Sequence, residues 1–357
     1  MAIDGFLNNL SKEIGYKFGS PWRYSDKSLG VMIPILKMGD GKGFEEREYI
    51  TIEEAKDQGI SFKDTGRIDR VIVESSLGKV IFIRSGTALK SLGTQPRAVE
   101  TSVVIIPDTG KKETKQEIPV RCIHASKSIS RGTKFAYAGD VPIEVRSTLL
   151  SKSGQSETWS AVGRATNRFM STRLGSSGSQ GYAAGVRSAG FNADNLVGVM
   201  EEVDKFTGNI DDVLAKVPLF EDQVGAVFLD MKDVVGMEMF DHPKSWEAIH
   251  KEVEKRLGES ATKEEDKSFF KPDYERLKPL TLEFLTKLLE SEKKETSHGA
   301  VSTVSLKGDG VVGEATTING KVIHLVGIKV DKKVEGSYAN TVAHDARNRL
   351  RNIGIQF

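Results

Sequence analysis

The chain has 357 residues, 38% hydrophobic and 28% charged, which is typical of a globular protein and not of a disordered or fibrous one. Lys and Arg number 51 against 50 Asp and Glu, so the charge balance predicts neither a nucleic-acid partner nor attraction to an anionic membrane. The single cysteine, Cys122, excludes an intramolecular disulfide and a cysteine-rich zinc site. No secretory signal pattern and no membrane-length apolar run is present, so we expect a cytoplasmic protein.

The first part of the chain is predicted to be rich in β-structure. Residues 1–48 form an N-terminal extension with one strand, Val31–Leu36. Residues 49–139 carry β-branched runs separated by turn residues, which predict two successive hairpins. Their strands are Arg70–Glu74 with Lys79–Ile83, and Thr101–Pro107 with Gln116–Cys122.

Residues 140–223 change to helical spacing. Helices are predicted over Val141–Leu150 and Glu157–Met170, the latter with Trp159, Val162 and Phe169 as buried anchors. A Gly/Ser loop, Gly175–Gly181, follows. Two further helices are predicted at Asn195–Val203 and Ile210–Val217.

Residues 224–330 are predicted to hold hairpins and charged helices. Val224–Leu229 pairs with Val234–Met239, and Asp241 then stands where a helix N-cap belongs, before a helix that runs to Leu257. Charged side chains over 251–295 indicate a solvated helical face. Three closing strands, with a turn at Asn319-Gly320 between the last two, are Val301–Leu306, Val311–Thr317 and Val322–Ile328.

Residues 331–357 carry a predicted terminal helix, about Tyr338–Asn352. The whole pattern indicates an α+β fold: β-rich hairpin sheets with helices packed on them, in one large domain or two closely packed subdomains.

Three candidate motifs are better explained as structure. Gly308–Gly313 matches G-x-G-x-x-G, but it leads into a hairpin and not into the helix that a dinucleotide site requires. Cys122 and His124 could pair as nucleophile and base, but no third partner is evident, and a lone cysteine is usually a small core residue. Four acidic residues could hold a hard cation, but no metal site is predicted, because one of them already serves as the helix cap. They are Asp230, Asp233, Glu238 and Asp241.

A local excess of arginine is the main indication of function. Residues 121–190 contain ten basic and three acidic residues, and seven of the ten are arginine. Guanidinium groups bind phosphate and carboxylate oxygens through paired hydrogen bonds. Arg146 lies in this segment, and Arg173 and Arg187 bracket the Gly/Ser loop, whose backbone amides could surround an anion.

Seven stretches follow one another in the order seen in a known family. The sequence resembles the ADP-ribosylglycohydrolase- and rhodanese/phosphatase-associated domain family over about Tyr49 to Gly327. The stretches are YITIEEAKDQGI, GTALKSLGTQPRAVETSVVIIP, IPVRCIHAS, FAYAGDVPIEVRSTL, SGQSETWSAV, QVGAVFLDMKDVVGMEMFDHP and VVGEATTINGKVIHL.

Because the family is associated with ADP-ribosylglycohydrolases and phosphatase-like proteins, the resemblance implies a role in NAD-derived or ADP-ribose metabolism. The association implies no mechanism. It singles out Gln95 and Arg97 before a central strand, and Gln155 and Trp159 at the start of a helix. The sequence departs from the family pattern at Thr87-Ala88 and from His124 to Lys127.

Two functions are therefore expected as alternatives. The first is binding of an anionic nucleotide-like ligand, such as ADP-ribose or an NAD-derived compound, without a cofactor or metal. Its site residues would be Gln95, Arg97, Arg146, Gln155, Arg173 and Arg187. The second is a non-catalytic interaction or scaffold protein that self-associates, favoured by the lack of a pre-spaced nucleophile–base set and by the departures from the family.

Overall fold

The computed structural model describes ten ranges of the chain: 1–23, 30–39, 44, 46–124, 129–175, 196–198, 200–201, 217–230, 233–261 and 274–330. For 167–175 and 257–261 the backbone alone is described. The helices are α1 Ala2–Ser11, α2 Ile52–Ala55, α3 Ile143–Leu150, α4 Gln155–Gly175, α5 Pro243–Ala261 and α6 Tyr274–Glu290.

The strands make up most of the described residues, and they form three sheets. In chain order they are β1 Tyr16–Phe18, β2 Trp22–Arg23, β3 Val31–Lys37, β4 Ile50–Thr51, β5 Ile60–Asp64, β6 Arg70–Ser75, β7 Ile81–Ile83, β8 Thr87–Lys90, β9 Arg97–Val99, β10 Val103–Ile105, β11 Thr114–Cys122, β12 Lys134–Asp140, β13 Gln223–Leu229, β14 Val234–Phe240, β15 Glu292–His298, β16 Val301–Gly308, β17 Val311–Ile318 and β18 Lys321–Lys329.

The largest sheet has nine strands within the described ranges, in the order β1-β3-β13-β14-β18-β17-β16-β15, with β2 paired to β3. Helices α1 and α6 cover one face, where Leu7 and Leu285 join the same apolar cluster as Ile33 and Met237. Helix α5 covers the other face through Trp246. The central strands are buried on both faces, which explains their nearly continuous apolar sequences.

A closed six-stranded barrel, in the order β11-β6-β5-β12-β8-β9, lies beside this sheet. Its apolar cluster includes Phe62, Val73, Leu89 and Val120. Helices α3 and α4 pack on a second apolar cluster. This cluster includes Ala98, because alternate residues of a barrel strand point to opposite faces. The small sheet β10-β7-β4 joins the large sheet to the barrel. Phe82 of β7 packs in the apolar cluster under α5, whereas its neighbours Ile81 and Ile83 pack in the barrel cluster.

The α+β class expected from the sequence is confirmed, and most predicted strands are present. The two early hairpins are wrong: β6 pairs with β5 and β11, whereas β7 pairs with β10 and β4 in another sheet. Strand β10 likewise pairs with β7 and not with β11. Residues 1–48, predicted as an extension, contribute β1, β2 and β3 to the same sheet as β13 to β18.

Three local predictions also need correction. Asp241 does not cap α5, because its carboxylate accepts the hydroxyl of Tyr49, and His242 Nδ1 instead accepts the backbone N–H of Lys244. Residues 292–298 form the exposed strand β15, not part of a helix. Trp159 is not a buried anchor, since 37% of its surface is exposed, whereas Val162 is buried.

The turn at Asn319-Gly320 is confirmed, with positive φ at both residues. Gly308–Gly313 lies in the hairpin of β16 and β17, with Asp309-Gly310 as its turn, as the sequence predicted. Several predictions concern parts of the chain outside the described ranges. They are the Phe169 side chain, most of the helix Ile210–Val217 and the terminal helix Tyr338–Asn352. Only part of the predicted helix Asn195–Val203 lies within those ranges.

Candidate functional site

A buried arginine stands at one end of the barrel. Arg97 is the first residue of β9, directly opposite Cys122 on β11 and Leu89 on β8. Its side chain has no exposed surface. Because β9 is buried along its whole length, the alternation of the strand places a charged group inside the barrel cluster, where it needs partners for all its donors.

Only part of the Arg97 guanidinium is satisfied. Nη1 donates to the Gln95 backbone oxygen at 2.7 Å, while Nε and Nη2 are buried without a hydrogen-bond partner. The Asp64 carboxylate is 3.8 Å from Nη2, too far for a hydrogen bond, and it already accepts from Thr94 and from the Gly66 amide. The Nε–Nη2 edge, which binds oxyanions with two parallel bonds, is therefore unfilled.

Gln155 and Cys122 complete this end of the barrel, which we call the Arg97 cluster (Gln95, Arg97, Cys122 and Gln155). The Gln155 amide exchanges two hydrogen bonds with the Cys122 backbone, at 3.1 and 2.7 Å, and so attaches the first residue of α4 to β11. The Cys122 thiol lies 3.1 Å from Gln95 Oε1. The indole of Trp159, 37% exposed, and the Arg97 guanidinium both lie near the same sulfur.

Cys122 is not set up as a nucleophile. Burial raises the pKa of its thiol, and the nearby Arg97 guanidinium offsets only part of this effect. Its sulfur donates to the backbone oxygen of His124 at 2.9 Å. The thiol therefore stays protonated, and its contact with His124 is through the backbone.

The structure brings together three of the six expected site residues. Gln95, Arg97 and Gln155 lie in the Arg97 cluster. Arg146 lies elsewhere, in an ion pair described next. Arg173 is in α4, but its side chain is outside the described part of the structure, as is the whole of Arg187.

A second charged cluster lies between the barrel and the large sheet, which we call the Glu238 cluster (Arg84, Arg146, Glu238 and His324). Arg146 Nη1 and Nη2 donate to the two Glu238 oxygens at 2.6 and 2.7 Å. Arg84 Nη1 donates to Glu238 Oε1 at 3.1 Å, and His324 Nε2 lies 2.8 Å from the same oxygen. One carboxylate with no exposed side-chain surface thus accepts from three cationic or imidazole groups.

The Arg84 guanidinium extends this network toward α2 and β12. Its Nη2 is 2.9 Å from Glu53 Oε1 and 2.7 Å from Asp140 Oδ2. The Tyr137 hydroxyl donates to the same Glu53 oxygen at 3.3 Å. Such a network requires every member, since a buried charge without its partner costs several kcal/mol, about 3–5 by mutation.

The sequence carries a signal for these residues that the arginine count missed. Arg84 and Glu238 are single charges within strongly apolar runs, VIFIRSG and VVGMEMF. A charge in a strand buried on both faces must be paired inside the protein. His324, in the similar run VIHLVGI, completes the set.

Buried histidine His324 should make the protein sensitive to acid. Burial lowers its pKa from 6.5, only partly opposed by the bond to Glu238, and its Nδ1 has no hydrogen-bond partner. The ring is therefore neutral with the proton on Nε2. Burial by itself would raise the pKa of Glu238, but Arg146 and Arg84 hold it well below its usual value of 4.5.

Both depressed pKa values give stability that is lost on acidification, because the unfolded chain binds the protons first. We expect the free energy of unfolding to fall as the pH drops below 6.5 and further below 4.5, measured by urea denaturation across this range. His324→Gln should flatten the slope near the upper value, whereas the exposed His298→Gln should not. An unchanged slope in His324→Gln would contradict this assignment.

Two adjoining cavities form a cleft beside the Glu238 cluster. The larger, about 1160 Å³, is lined by residues that include Phe44, Arg47 and Lys244. The smaller, about 580 Å³, reaches Glu53 and Tyr137. They share Leu219 and Glu247 as lining residues.

The acidic residues weighed as a metal site do not converge. Asp233 pairs with Lys329, Asp241 with Tyr49 and Lys321, and Glu238 with the arginines. Within the described residues, no group of three or more His, Cys, Asp or Glu side chains could hold a metal ion.

None of the described helices has both the length and the apolar character that crossing a membrane requires.

Comparisons with known proteins identify the family alone. Searches of curated proteins and of solved structures gave no match. A family model, the ARG and Rhodanese-Phosphatase-superfamily-associated Protein domain, matches residues 15–328. This match covers both the barrel and the nine-stranded sheet, and thus the Arg97 and Glu238 clusters. The chain belongs to the ARG and Rhodanese-Phosphatase-superfamily-associated Protein domain family.

Proposed function

We propose that the protein binds a small anionic, nucleotide-like ligand, and that Arg97 holds one of its phosphate or carboxylate groups. The observation that carries this proposal is the unfilled Nε–Nη2 edge of a fully buried guanidinium. Burial lowers the pKa of Arg97, and the neighbouring Cys122 and Asp64 offset only part of this effect. An oxyanion would supply the two missing acceptors, and its charge would add to that of Asp64.

The neighbours of Arg97 suit such a ligand. The Gln95 and Gln155 amides lie in the same cluster and offer polar contacts to a ribose or a phosphate. Trp159, 37% exposed and in reach of the Cys122 sulfur, connects the cluster to the surface and offers an aromatic ring to a base. Because Arg97 itself is buried, we propose that overlying side chains, Trp159 among them, move when the ligand enters.

The family name supports the ligand class by association only. Its reference to ADP-ribosylglycohydrolases points to ADP-ribose or an NAD-derived compound. The cytoplasm is the proposed setting, and a buried free thiol at Cys122 suits that compartment. Arg146 has no place in this proposal as a ligand contact, because both of its terminal nitrogens already bind Glu238.

A thermal-shift screen with ADP-ribose, NAD, ATP and inorganic polyphosphate tests the proposal. A ligand that binds only the native state adds about 2.7 kcal/mol of stability at a hundredfold excess over Kd. We therefore expect a clear rise in Tm with at least one nucleotide. The absence of any shift across the panel at millimolar concentration would contradict the proposal.

The alternative function, self-association as a scaffold, is supported by one edge of the large sheet. Strand β15 pairs only with β16 among the described residues, and its side chains are mostly exposed. An open edge can accept a strand from a second copy. The charges of Lys294 and Glu295 oppose this, because charged edge strands resist pairing. The ligand proposal is therefore the one that the geometry favours.

A further inference from the structure

The polar atoms around Arg97 are mainly hydrogen-bond acceptors. Its Nη1 lies 2.7 Å from the Gln95 backbone oxygen, 3.3 Å from Gln95 Oε1 and 3.5 Å from the Pro96 backbone oxygen. The Gln155 amide already bonds through both Oε1 and Nε2 to the backbone of Cys122. Among the described residues, the buried donors that the Arg97 cluster leaves unfilled are therefore Nε and Nη2 of Arg97 itself.

The nearest charge to this guanidinium is a fixed negative one. The Asp64 carboxylate lies 3.8 Å from Nη2 and has no exposed side-chain surface. It accepts the Thr94 hydroxyl and the Gly66 amide, which hold it in place. Within the described part of the chain, Cys122 and Asp64 are the groups whose charges act on the pKa of Arg97, and no second cation is among them. An anion that enters must therefore share one cation with a buried carboxylate.

A singly charged group with two terminal oxygens matches this arrangement. A phosphodiester, an internal phosphate of a pyrophosphate and a carboxylate each present two such oxygens and one negative charge. Those oxygens suit the two parallel donors of the Nε–Nη2 edge. A phosphate monoester presents three oxygens and about two negative charges above pH 7. Its third oxygen would be buried without a donor from the cluster, and Asp64 would repel its second charge.

We propose that Arg97 and Asp64 together select a singly charged anion with two terminal oxygens and discriminate against a phosphate monoester. This inference rests on the proposed function, because it names the class of group that the same site takes. Arg97 supplies the two donors, whereas Asp64 limits the charge that the site accepts. Asp64 is thus a specificity residue that acts through Arg97 and its field. The site favours a dinucleotide-like diester or a nucleoside carboxylate over the phosphate end of a mononucleotide.

Isothermal titration of the intact chain at pH 8 with three adenosine derivatives tests this selection. They share the base and the ribose: the methyl ester of AMP is a diester, 5′-carboxyadenosine is a carboxylate, and AMP is a monoester. Because the second pKa of a monoester is about 6, AMP that binds only after taking up a proton loses up to about 100-fold in affinity. We therefore expect the methyl ester to bind between about tenfold and 100-fold more tightly than AMP. The carboxylate arm shows whether a carboxylate or a diester is preferred.

Asp64→Asn is the critical variant for the specificity residue. Asparagine keeps the shape of the side chain, removes the charge and adds a donor, so AMP should gain affinity relative to its methyl ester. Asp69→Asn, at an exposed carboxylate in the next turn of the chain, should leave the ratio of the two affinities unchanged. This ratio in the wild-type protein decides the proposal even if Asp64→Asn fails to fold.

The failure of this inference is distinguishable from the failure of the proposed function. AMP binding to the wild-type protein as tightly as its methyl ester would overturn the selection and leave the proposed function in place. An unchanged ratio in folded Asp64→Asn would likewise overturn the role of Asp64. No binding of any of the three derivatives would overturn both.

Discussion

Replacement of Glu238 with glutamine should lower the free energy of unfolding by about 3–5 kcal/mol, among the largest effects of any single change in this chain. Glutamine keeps the volume of the side chain but removes the charge that Arg84 and Arg146 share. Both guanidiniums would then stay buried without their common carboxylate, and the new NH2 group would face a donor, Arg146 or His324, where an oxygen now accepts. Urea denaturation monitored by tryptophan fluorescence measures the difference.

Glu283→Gln is the matched control for this prediction. Its carboxylate pairs with Lys287 one helical turn away, and its side chain is 61% exposed. An exposed pair of this kind contributes about 0–1 kcal/mol, so the control should remain close to wild type. If Glu238→Gln were as stable as the control, the Glu238 cluster would not hold the barrel against the large sheet.

Replacement of Arg97 with methionine should abolish nucleotide binding while the protein remains folded. Two hydrogen bonds from a charged donor contribute about 1.5–3 kcal/mol each, so the affinity should fall at least about 100-fold. Methionine fills much of the same volume, and Asp64, which lies 3.8 Å from Nη2, keeps its hydrogen bonds from Thr94 and from the Gly66 amide, so the fold should be retained at some cost in stability. Isothermal titration with the best ligand of the thermal-shift panel gives the affinity, and circular dichroism confirms folding.

Arg121→Met is the matched control, because Arg121 lies on β11 opposite Ala98, next to Arg97. Its guanidinium is partly exposed and bonds to Glu100 at 2.8 Å. This variant removes an arginine from the same pair of strands without touching the unfilled donors. Undiminished binding in Arg97→Met, or an equal loss in Arg121→Met, would refute a specific contact at Arg97.

Individual strands were predictable here, and so were the partners joined by a short turn, β13 with β14 and β17 with β18, but the partners of strands that are distant in sequence were not. Alternation and β-branched residues are local signals, and they correctly marked β6, β11, β13 and β14. Pairing joins distant segments: β6 pairs with β11 across about forty residues, and no turn signal encodes that contact. Strand β15 was missed because its sequence, EKKETSH, is exposed on nearly every residue and has no apolar alternation.

The same distinction explains the outcome for the site residues. Gln95 and Arg97 are two residues apart on the chain, so their proximity follows from sequence spacing. Arg146 belongs to the local excess of arginine, but its partner Glu238 is 92 residues away, on β14 of the large sheet. A count of charges in one segment cannot detect neutralisation by a distant carboxylate. A lone charge in an apolar strand is the better indicator, because burial forces it to have a partner.

A crystal structure of the protein with ADP-ribose tests the central claim most directly. Our account predicts ligand oxygens about 2.9 Å from both Nε and Nη2 of Arg97, the two donors left unfilled in the free protein. A ligand bound elsewhere, with Nε and Nη2 of Arg97 still unfilled, would contradict it.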